Sequence, residues 1–168
     1  MNAGMYDRDQ RPVGLFVERG QVMTDLDSRA GAGNFYLLPN GVFWLGADRK
    51  PHVDESSRYA STHRGAVWAT QSGPLLVRDG VLNSHIAPDG PSALVRNGVG
   101  VKGDDAYFVI SEEKVSFGRF ARFFRDRLAC PNALYLDGAV SSLWAPSLNR
   151  LDGRRGLGTF VVVLRHRP

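Results

Sequence analysis

Four short segments of the sequence each combine polar side chains with a glycine next to an apolar stretch. They are Asn2-Ala3-Gly4, Gln71-Ser72-Gly73-Pro74, Arg96-Asn97-Gly98, and Asp137-Gly138 with Ser141-Ser142. Between them they supply amides, hydroxyls, a guanidinium and a carboxylate, which are groups that bind anions and sugar hydroxyls or transfer protons. Glycine also lets a backbone come close to a ligand. We therefore expect the four segments to meet at strand ends, although each one alone also fits an ordinary turn.

Asp137 is the strongest candidate for catalysis. It follows the apolar run 133–136, so its carboxylate is expected at the rim of a sheet, partly withdrawn from water. Such a carboxylate can serve as an acid, a base or a nucleophile, or it can accept a hydrogen bond from a sugar hydroxyl. The alternative is a structural role, in which Asp137 caps a turn through Gly138 and Ser141.

Arg96 is the second candidate for catalysis. It lies among valines and precedes Asn97-Gly98, a setting in which a guanidinium can hold an anionic oxygen through paired hydrogen bonds. The alternative is a structural salt bridge, with Asp137 as one partner to consider. Ser72 and Ser141 carry hydroxyls that can donate to phosphate oxygens, and each also suits a plain turn.

The histidines and the cysteine offer no metal site. His52, His63, His85 and His166 lack the spacing of metal ligands, and Cys130 is single, so no disulfide within the chain is expected. His85 lies in the loop between two of the polar segments, and it is the one histidine that we include among the candidate substrate-binding residues. Nothing in the sequence requires a cofactor.

The order of apolar runs and turns predicts an α+β domain over residues 1–168, with a mainly β-sheet core. The Asn40-Gly41 pair favours a hairpin between 34–38 and 42–45. Residues 21–30 are expected to be irregular, and 46–66 to be a loop or a short helix. Further strands are expected at 14–20, 75–77, 106–110, 133–136 and 159–164.

One prominent amphipathic helix is predicted at about 116–129, along with a few short ones. Ser116 suits an N-cap, and Phe117, Phe120 and Phe124 recur at helical spacing. A strand, this helix and another strand in succession suggest a mixed sheet that the helix covers. Arginines line the other face of the helix. We interpret that face as solvated, because no aromatic platform for nucleic-acid bases accompanies it.

Composition indicates a folded domain without a membrane-spanning segment. The 168 residues are 43% hydrophobic with a net charge of +4, which suits a folded domain and leaves the oligomeric state open. No run approaches the roughly 18 apolar residues of a membrane span. No export signal follows Met1. The chain as written is therefore expected in the cytoplasm, or in the periplasm or outside the cell if the true start lies upstream.

The polar segments, taken with several other blocks in order, resemble the phosphodiester glycosidase domain family, and a bacterial branch of it most closely. The blocks run from Met1 to about Trp144: Asn2-Ala3-Gly4-Met5-Tyr6, Pro12-Val13-Gly14, Gly33-Asn34-Phe35, Pro39-Asn40-Gly41-Val42-Phe43, Gln71-Ser72-Gly73-Pro74, Arg96-Asn97-Gly98-Val99-Gly100 and Leu134-Tyr135-Leu136-Asp137-Gly138.

The resemblance implies hydrolysis of a glycosyl phosphodiester. By that resemblance the matching site residues are Asn2, Gly4, Ser72, Gly73, Arg96, Asp137, Gly138 and Ser141, and we add Asn97 and His85 as binding residues. The expected partner is a carbohydrate phosphodiester or an envelope glycan, with no role for nucleic acid. The alternatives are a non-catalytic glycan-binding module on the same fold, or an inactive fragment.

Two departures from the family pattern bear on these expectations. Relatives usually carry a strand-rich segment before the Asn-Ala-Gly block, whereas this chain begins there, which predicts a misplaced start or a truncated domain. Ala139 stands where many relatives have a run of glycines after Asp-Gly, so the loop after Gly138 is expected to differ in shape.

Overall fold

The computed structural model describes residues 1–62, 65–153 and 156–164. In this part of the chain two five-stranded sheets stack face to face, and a helix packs on the outer face of each. The layers therefore run helix, sheet, sheet, helix. This confirms the α+β class with a mainly β-sheet core.

The first sheet is formed by the N-terminal half of the chain. Its strands lie in the order β2-β1-β5-β3-β4, and every pairing is antiparallel. They are β1 (Phe16–Glu18), β2 (Gln21–Thr24), β3 (Gly41–Leu45), β4 (Pro51–Glu55) and β5 (Trp68–Ser72). Helix α1 (Ser56–Thr62) follows β4 and places Tyr59 edge-on against Trp44, on the outer face of this sheet.

The second sheet holds the candidate residues of the C-terminal half. Its order is β7-β6-β10-β8-β9, again antiparallel throughout. The strands are β6 (Leu75–Arg78), β7 (Val81–Leu82), β8 (Asn97–Lys102), β9 (Asp105–Ile110) and β10 (Asn132–Asp137). A two-stranded sheet of β11 (Trp144–Ala145) and β12 (Arg150–Leu151) flanks them.

The predicted amphipathic helix is confirmed. Helix α2 (Phe117–Arg122) continues directly into a π-helical turn (Phe123–Arg127). The Ser116 hydroxyl accepts a hydrogen bond from the backbone N–H of Arg119 at 3.2 Å, as expected of an N-cap. Phe120 and Phe124 are buried against the outer face of the second sheet.

The core alternates along the central strand β10. Leu134 and Leu136 point inward and join Phe43 and Val53 of the first sheet in the layer between the sheets. Ala133 and Tyr135 point outward and pack with the α2 cluster. Because side chains alternate along a strand, this pattern assigns the polar end of Tyr135 to the α2 side.

The expectation of a mixed sheet is corrected by the position of β8. The unit β9, α2, β10 does contain two strands that run in the same direction. They are not neighbours, however, because β8 lies between them and pairs antiparallel with both. Hydrogen bonding between adjacent strands is therefore antiparallel throughout both sheets.

The predicted hairpin at 34–45 is wrong. Residues Asn34–Tyr36 form a 3-10 turn, and β3 pairs with β4 and β5 instead. The Asn40 side chain donates to the carbonyl of Phe35 at 3.3 Å, and the Asn40 carbonyl accepts from Ser56 at 3.1 Å. Although the local sequence favours a hairpin turn at Asn40-Gly41, these tertiary contacts make the pair the start of β3.

Three other boundaries differ from the prediction. Residues 21–24 form the edge strand β2, although a polar irregular segment was expected. Residues 46–66 contain β4 as well as the short helix. In 159–164 a single bridge joins Phe160 to Asn2, and no strand forms there. No helix within the described ranges is long and apolar enough to cross a bilayer.

Candidate active site

Asn2 and Asn97 form the centre of the candidate site. The Asn97 amide donates to the Asn2 side-chain oxygen at 2.9 Å and to the Asn2 carbonyl at 3.1 Å, and both residues are fully buried. The Asn97 side-chain oxygen accepts from the backbone N–H of Asp137 at 2.8 Å. The Asn2 side-chain oxygen accepts from Ser142 at 2.9 Å. Three of the four polar segments thus meet through one buried amide pair.

Asp137 ends β10 with one carboxylate oxygen held and the other open. Oδ1 accepts from the backbone N–H groups of Gly138 and Ala139, the latter at 2.8 Å. Oδ2 accepts from no residue in the described ranges. Within these ranges, every side-chain oxygen that is buried from solvent has a hydrogen-bond partner. Because Oδ2 has no such partner, it must be exposed to solvent. The residue as a whole is 9% exposed. Asp137 therefore caps its turn and also presents an oxygen at the rim.

Ser141 closes the loop that follows Asp137. Its hydroxyl lies 3.0 Å from the carbonyl of Val95 and 3.0 Å from the carbonyl of Asp137. A hydroxyl has one proton to donate, so these two carbonyls share it. The loop from Gly138 to Ser142 is consequently anchored at its serines while Ala139 remains exposed.

Arg96 lies beneath this turn and is fully buried. Its Nε donates to the carbonyl of Val115 at 2.8 Å, and one terminal nitrogen donates to the carbonyl of Ser92 at 2.8 Å. The other terminal nitrogen donates to the Tyr135 hydroxyl at 3.3 Å, and the guanidinium carbon stacks 3.6 Å from the centre of the Phe117 ring. Burial lowers the pKa of Arg96. No carboxylate of the described residues pairs with it, so the alternative salt bridge to Asp137 does not form.

Tyr135 is a site residue that the sequence does not single out, because it lies within the apolar run 133–136. A Cβ added at Gly138 would overlap the Tyr135 hydroxyl, which therefore lies directly under the Asp137-Gly138 turn. Burial raises the pKa of the Tyr135 phenol, while the nearby Arg96 charge and the Asn34 side chain oppose that rise. The period-2 pattern of strand side chains, which relates residues 135 and 137, is the signal that could have found it.

The Ser72-Gly73 segment is close by but faces the interior. The Ser72 hydroxyl donates to the carbonyl of Leu136 at 3.0 Å, which links the two sheets, and Ser72 is fully buried. A Cβ at Gly73 would overlap the carbonyl of Phe35. Gly4 donates its backbone N–H to the Thr70 hydroxyl at 3.1 Å. In this structure Ser72, Gly73 and Gly4 make packing contacts.

Gly98 owes its place to packing as well. A Cβ there would lie 2.7 Å from the carbonyl of Leu134 and 3.1 Å from the Phe120 ring. The glycine thus lets the aromatic side of α2 close onto the strand that carries Asn97. The helix in turn keeps water away from Arg96 and Tyr135.

His85 lies apart from the other candidate residues. It is exposed, with Nδ1 2.9 Å from the carbonyl of Leu38, and it lines a groove of about 700 Å³ whose walls include neither Asn2 nor Asp137. His63 and His166 fall outside the described residues. In the ranges that the structure describes, no three His, Cys, Asp or Glu side chains gather in a manner that would hold a metal ion.

The arrangement brings Asn2, Arg96, Asn97, Asp137, Gly138 and Ser141 together around one turn. The open carboxylate oxygen of Asp137 lies at the surface. Below it lie the buried guanidinium of Arg96 and the neutral amide pair of Asn2 and Asn97. Such a carboxylate can bind a hydroxyl, accept a proton from water, or attack an electrophilic carbon.

A known protein matches most of this chain in sequence. The uncharacterised protein YigE of Escherichia coli (strain K12) is 37% identical over 145 residues, which are 86% of this chain and 56% of YigE. The chain therefore spans about half the length of this relative.

A solved structure shares the fold. The catalytic domain of zebrafish N-acetylglucosamine-1-phosphodiester alpha-N-acetylglucosaminidase, auto-inhibited by pro-peptide, aligns with a TM-score of 0.55 at 16% identity. The alignment covers 82% of this chain and 49% of that one. The sequence model of the phosphodiester glycosidase family matches residues 1–164, nearly the whole chain, and the chain belongs to that family.

Proposed function

We propose that this protein hydrolyses a glycosyl phosphodiester, cleaving the bond between the anomeric carbon and the phosphate oxygen. The observation that carries the proposal is the geometry of Asp137, whose Oδ1 is fixed by two backbone N–H groups while Oδ2 stays open. Membership of the family supplies the class of reaction. The turn supplies a carboxylate whose orientation is already set before substrate binds.

The reaction adds one water molecule. The anomeric carbon gains the water oxygen, the bond to phosphate breaks, and the phosphate monoester leaves with the bonding electrons. Asp137 Oδ2 takes part in one of two ways: it accepts the proton of the attacking water, or it attacks the anomeric carbon and is released by water in a second step. A phosphate monoester is a good leaving group, so one carboxylate suffices without a separate strong acid.

The neighbouring residues have supporting roles in this proposal. Arg96 places a buried positive charge below the turn, in a medium where charges act more strongly than in water, and it stabilises the anionic phosphate from there. Asn2 and Asn97 hold the backbone of Asp137, and Ser141 sets the loop that orients the sugar.

The experiment measures release of free sugar from the methyl diester of N-acetylglucosamine 1-phosphate, alongside the glucose analogue. The key variant is Asp137→Asn, in which the side-chain oxygen can still accept the two backbone hydrogen bonds while the charge is lost. We expect turnover to fall by roughly 10²–10⁴-fold, the usual contribution of a positioned acid, base or nucleophile.

The matched control is Asp105→Asn, because Asp105 is an exposed carboxylate in the same sheet. It should retain wild-type turnover and show the same unfolding midpoint as Asp137→Asn. Wild-type turnover in Asp137→Asn would remove Asp137 from the reaction. Binding of the diester without turnover by the unaltered protein would instead support a glycan-binding module.

A further inference from the structure

The excess positive charge of the protein is concentrated near the C-terminus. The chain contains 21 lysines and arginines and 17 aspartates and glutamates. Residues 150–168 hold five of the arginines and one acidic residue, Asp152, so the rest of the chain carries 16 charges of each sign. The net charge of +4 therefore comes from these last residues. A segment of this kind attracts an anionic partner.

Large apolar side chains are exposed in the same part of the chain. Six of them are between 58% and 84% exposed, and we call them the C-terminal apolar surface: Trp144, Leu151, Phe160, Val162, Val163 and Leu164. Together they expose on the order of 700 Å², because a large apolar side chain offers roughly 150–200 Å². The largest apolar patch of a typical monomer is about 300–600 Å². An area above that range marks an interaction site.

Backbone pairing brings these side chains to one region of the molecule. Trp144 and Leu151 lie directly opposite each other in the pair of β11 and β12. Phe160 pairs with Asn2, whose backbone N–H donates to the carbonyl of Ser142 at 3.2 Å. Neighbouring strands are about 4.8 Å apart, so Phe160 lies roughly two strand spacings from the segment that enters β11. Through Ser142 this surface adjoins the loop of the candidate active site.

Arginines follow the exposed apolar residues closely along the chain. Arg165 comes directly after Leu164, and consecutive Cα atoms are about 3.8 Å apart, so connectivity alone keeps this cation beside the apolar surface. Arg150 adds little charge, because it pairs with Asp152 at 2.9 Å and with Glu112 at 3.0 Å. The surface therefore combines a wide apolar area with an adjacent excess of positive charge.

This combination favours one kind of partner. A second copy of the chain would bring identical surfaces together, and the charge of +4 on each would oppose the contact. A nucleic acid would find aliphatic side chains at 162–164 in place of rings on which bases stack. An anionic bilayer accepts both features, because apolar side chains enter the boundary between headgroups and acyl chains while arginines bind lipid phosphates.

We propose that the C-terminal apolar surface binds the face of an anionic lipid bilayer. Trp144 and Phe160 lie at the level of the headgroups, where aromatic rings are favoured, and 162–164 adds aliphatic contact. The protein lies on the bilayer without crossing it. Because this surface adjoins the loop that follows Asp137, the candidate active site works next to the lipid headgroups. The binding itself does not depend on the hydrolysis proposed above.

The experiment sediments the full chain with vesicles of phosphatidylcholine containing roughly 30% phosphatidylglycerol, and with vesicles of phosphatidylcholine alone. The key variant carries Val163→Glu and Leu164→Glu, at positions 80% and 84% exposed, where substitution has little effect on the fold. The matched control carries Met23→Glu and Val81→Glu. These two residues are exposed on the edge strands β2 and β7, and the control changes the net charge by the same amount.

The wild-type protein should bind the anionic vesicles, and the control variant should retain most of that binding. We expect binding to fall roughly tenfold or more with phosphatidylcholine alone, in about 0.5 M salt, and in the Val163→Glu, Leu164→Glu variant. Anionic vesicles should also shift tryptophan fluorescence to shorter wavelength, because Trp144 leaves water. Trp144→Phe should lose most of that shift and still bind.

Two results would overturn the proposal directly: equal binding of the wild-type protein to neutral and anionic vesicles, or equal binding by the two double variants. Sedimentation equilibrium without lipid tests the second copy. A wild-type dimer that the Val163→Glu, Leu164→Glu variant abolishes would assign the surface to self-association and refute lipid binding. Urea unfolding checks that the variants fold. If the key variant does not, the Trp144 signal decides, since an unshifted wild-type spectrum also refutes the proposal.

Discussion

At the scale of single residues, the candidate site depends on the tightly packed Asp137-Gly138 turn. The Asp137 carboxylate accepts from the N–H groups of Gly138 and Ala139, and the Tyr135 hydroxyl lies where a side chain at Gly138 would begin. The φ of Gly138 is not in the left-handed region, so backbone conformation does not require a glycine there. The close approach of the Tyr135 hydroxyl does. The position of the open oxygen is thus set by packing from below.

Gly138→Ala should therefore displace the turn. We expect a loss of about 1–3 kcal/mol in the free energy of unfolding, typical of overpacking, together with a fall in diester turnover. Urea unfolding and the sugar-release assay measure the two effects. Gly153→Ala is the control, because a Cβ there meets open space and its φ is also ordinary. Equal stability of the two variants would contradict the proposed contact with Tyr135.

At the scale of elements, α2 acts as the cover of the buried cation. Phe117 in its first turn stacks on Arg96 and meets the Tyr135 ring edge-on at 4.7 Å. Ser116 fixes the start of the helix just before that ring. The N-cap thereby determines where the ring lies, and the ring shields the guanidinium from water.

Ser116→Ala should cost about 1 kcal/mol of stability, because a helix N–H loses its acceptor. Ser116→Asp keeps an acceptor at the same position and should retain most of the stability. The unfolding midpoints in urea decide between these outcomes. If the alanine and aspartate variants were equally destabilised, the hydroxyl would contribute through something other than capping.

At the scale of the whole molecule, one buried carboxylate links acid stability to the packing of the first sheet. Gln71 on β5 clasps the backbone of Asp27 through hydrogen bonds of 2.9 and 2.7 Å. A hydrogen bond from Arg29 lowers the pKa of Asp27 to about 2, from an ordinary value of 3.8. Protonation of Asp27 is therefore resisted in the folded state.

A carboxylate with a lowered pKa stabilises the fold above its unfolded pKa and loses that contribution as pH falls through the folded one. We expect stability to decline between about pH 4 and pH 2, with Asp27 accounting for about 1 kcal/mol once solvent screening of the exposed Arg29 is considered. Asp27→Asn should flatten that part of the curve in unfolding measured across pH. If the pH dependence of unfolding stability were unchanged in Asp27→Asn, other carboxylates would account for the loss of stability in acid.

Local chemistry along the chain was enough to predict several features. The Ser116 cap and the spacing of Phe117, Phe120 and Phe124 predicted α2, and the apolar run before Asp137 predicted both the strand and the rim position of the carboxylate. These features depend on neighbours within a few residues, so the sequence by itself determined them. The blocks shared with the phosphodiester glycosidases likewise identified the family before any fold was known.

Contacts between distant residues decided the rest. Asn40-Gly41 favoured a hairpin locally, yet hydrogen bonds to Phe35 and Ser56 and pairing with β5 made it the start of a strand. The insertion of β8 between β9 and β10 made the second sheet antiparallel. Burial of Arg96 under Phe117, and the contact of Arg96 with the Tyr135 hydroxyl, depend on segments far apart in the chain. Only tertiary structure brings such segments together, because long-range pairing has no local energetic signature in the sequence.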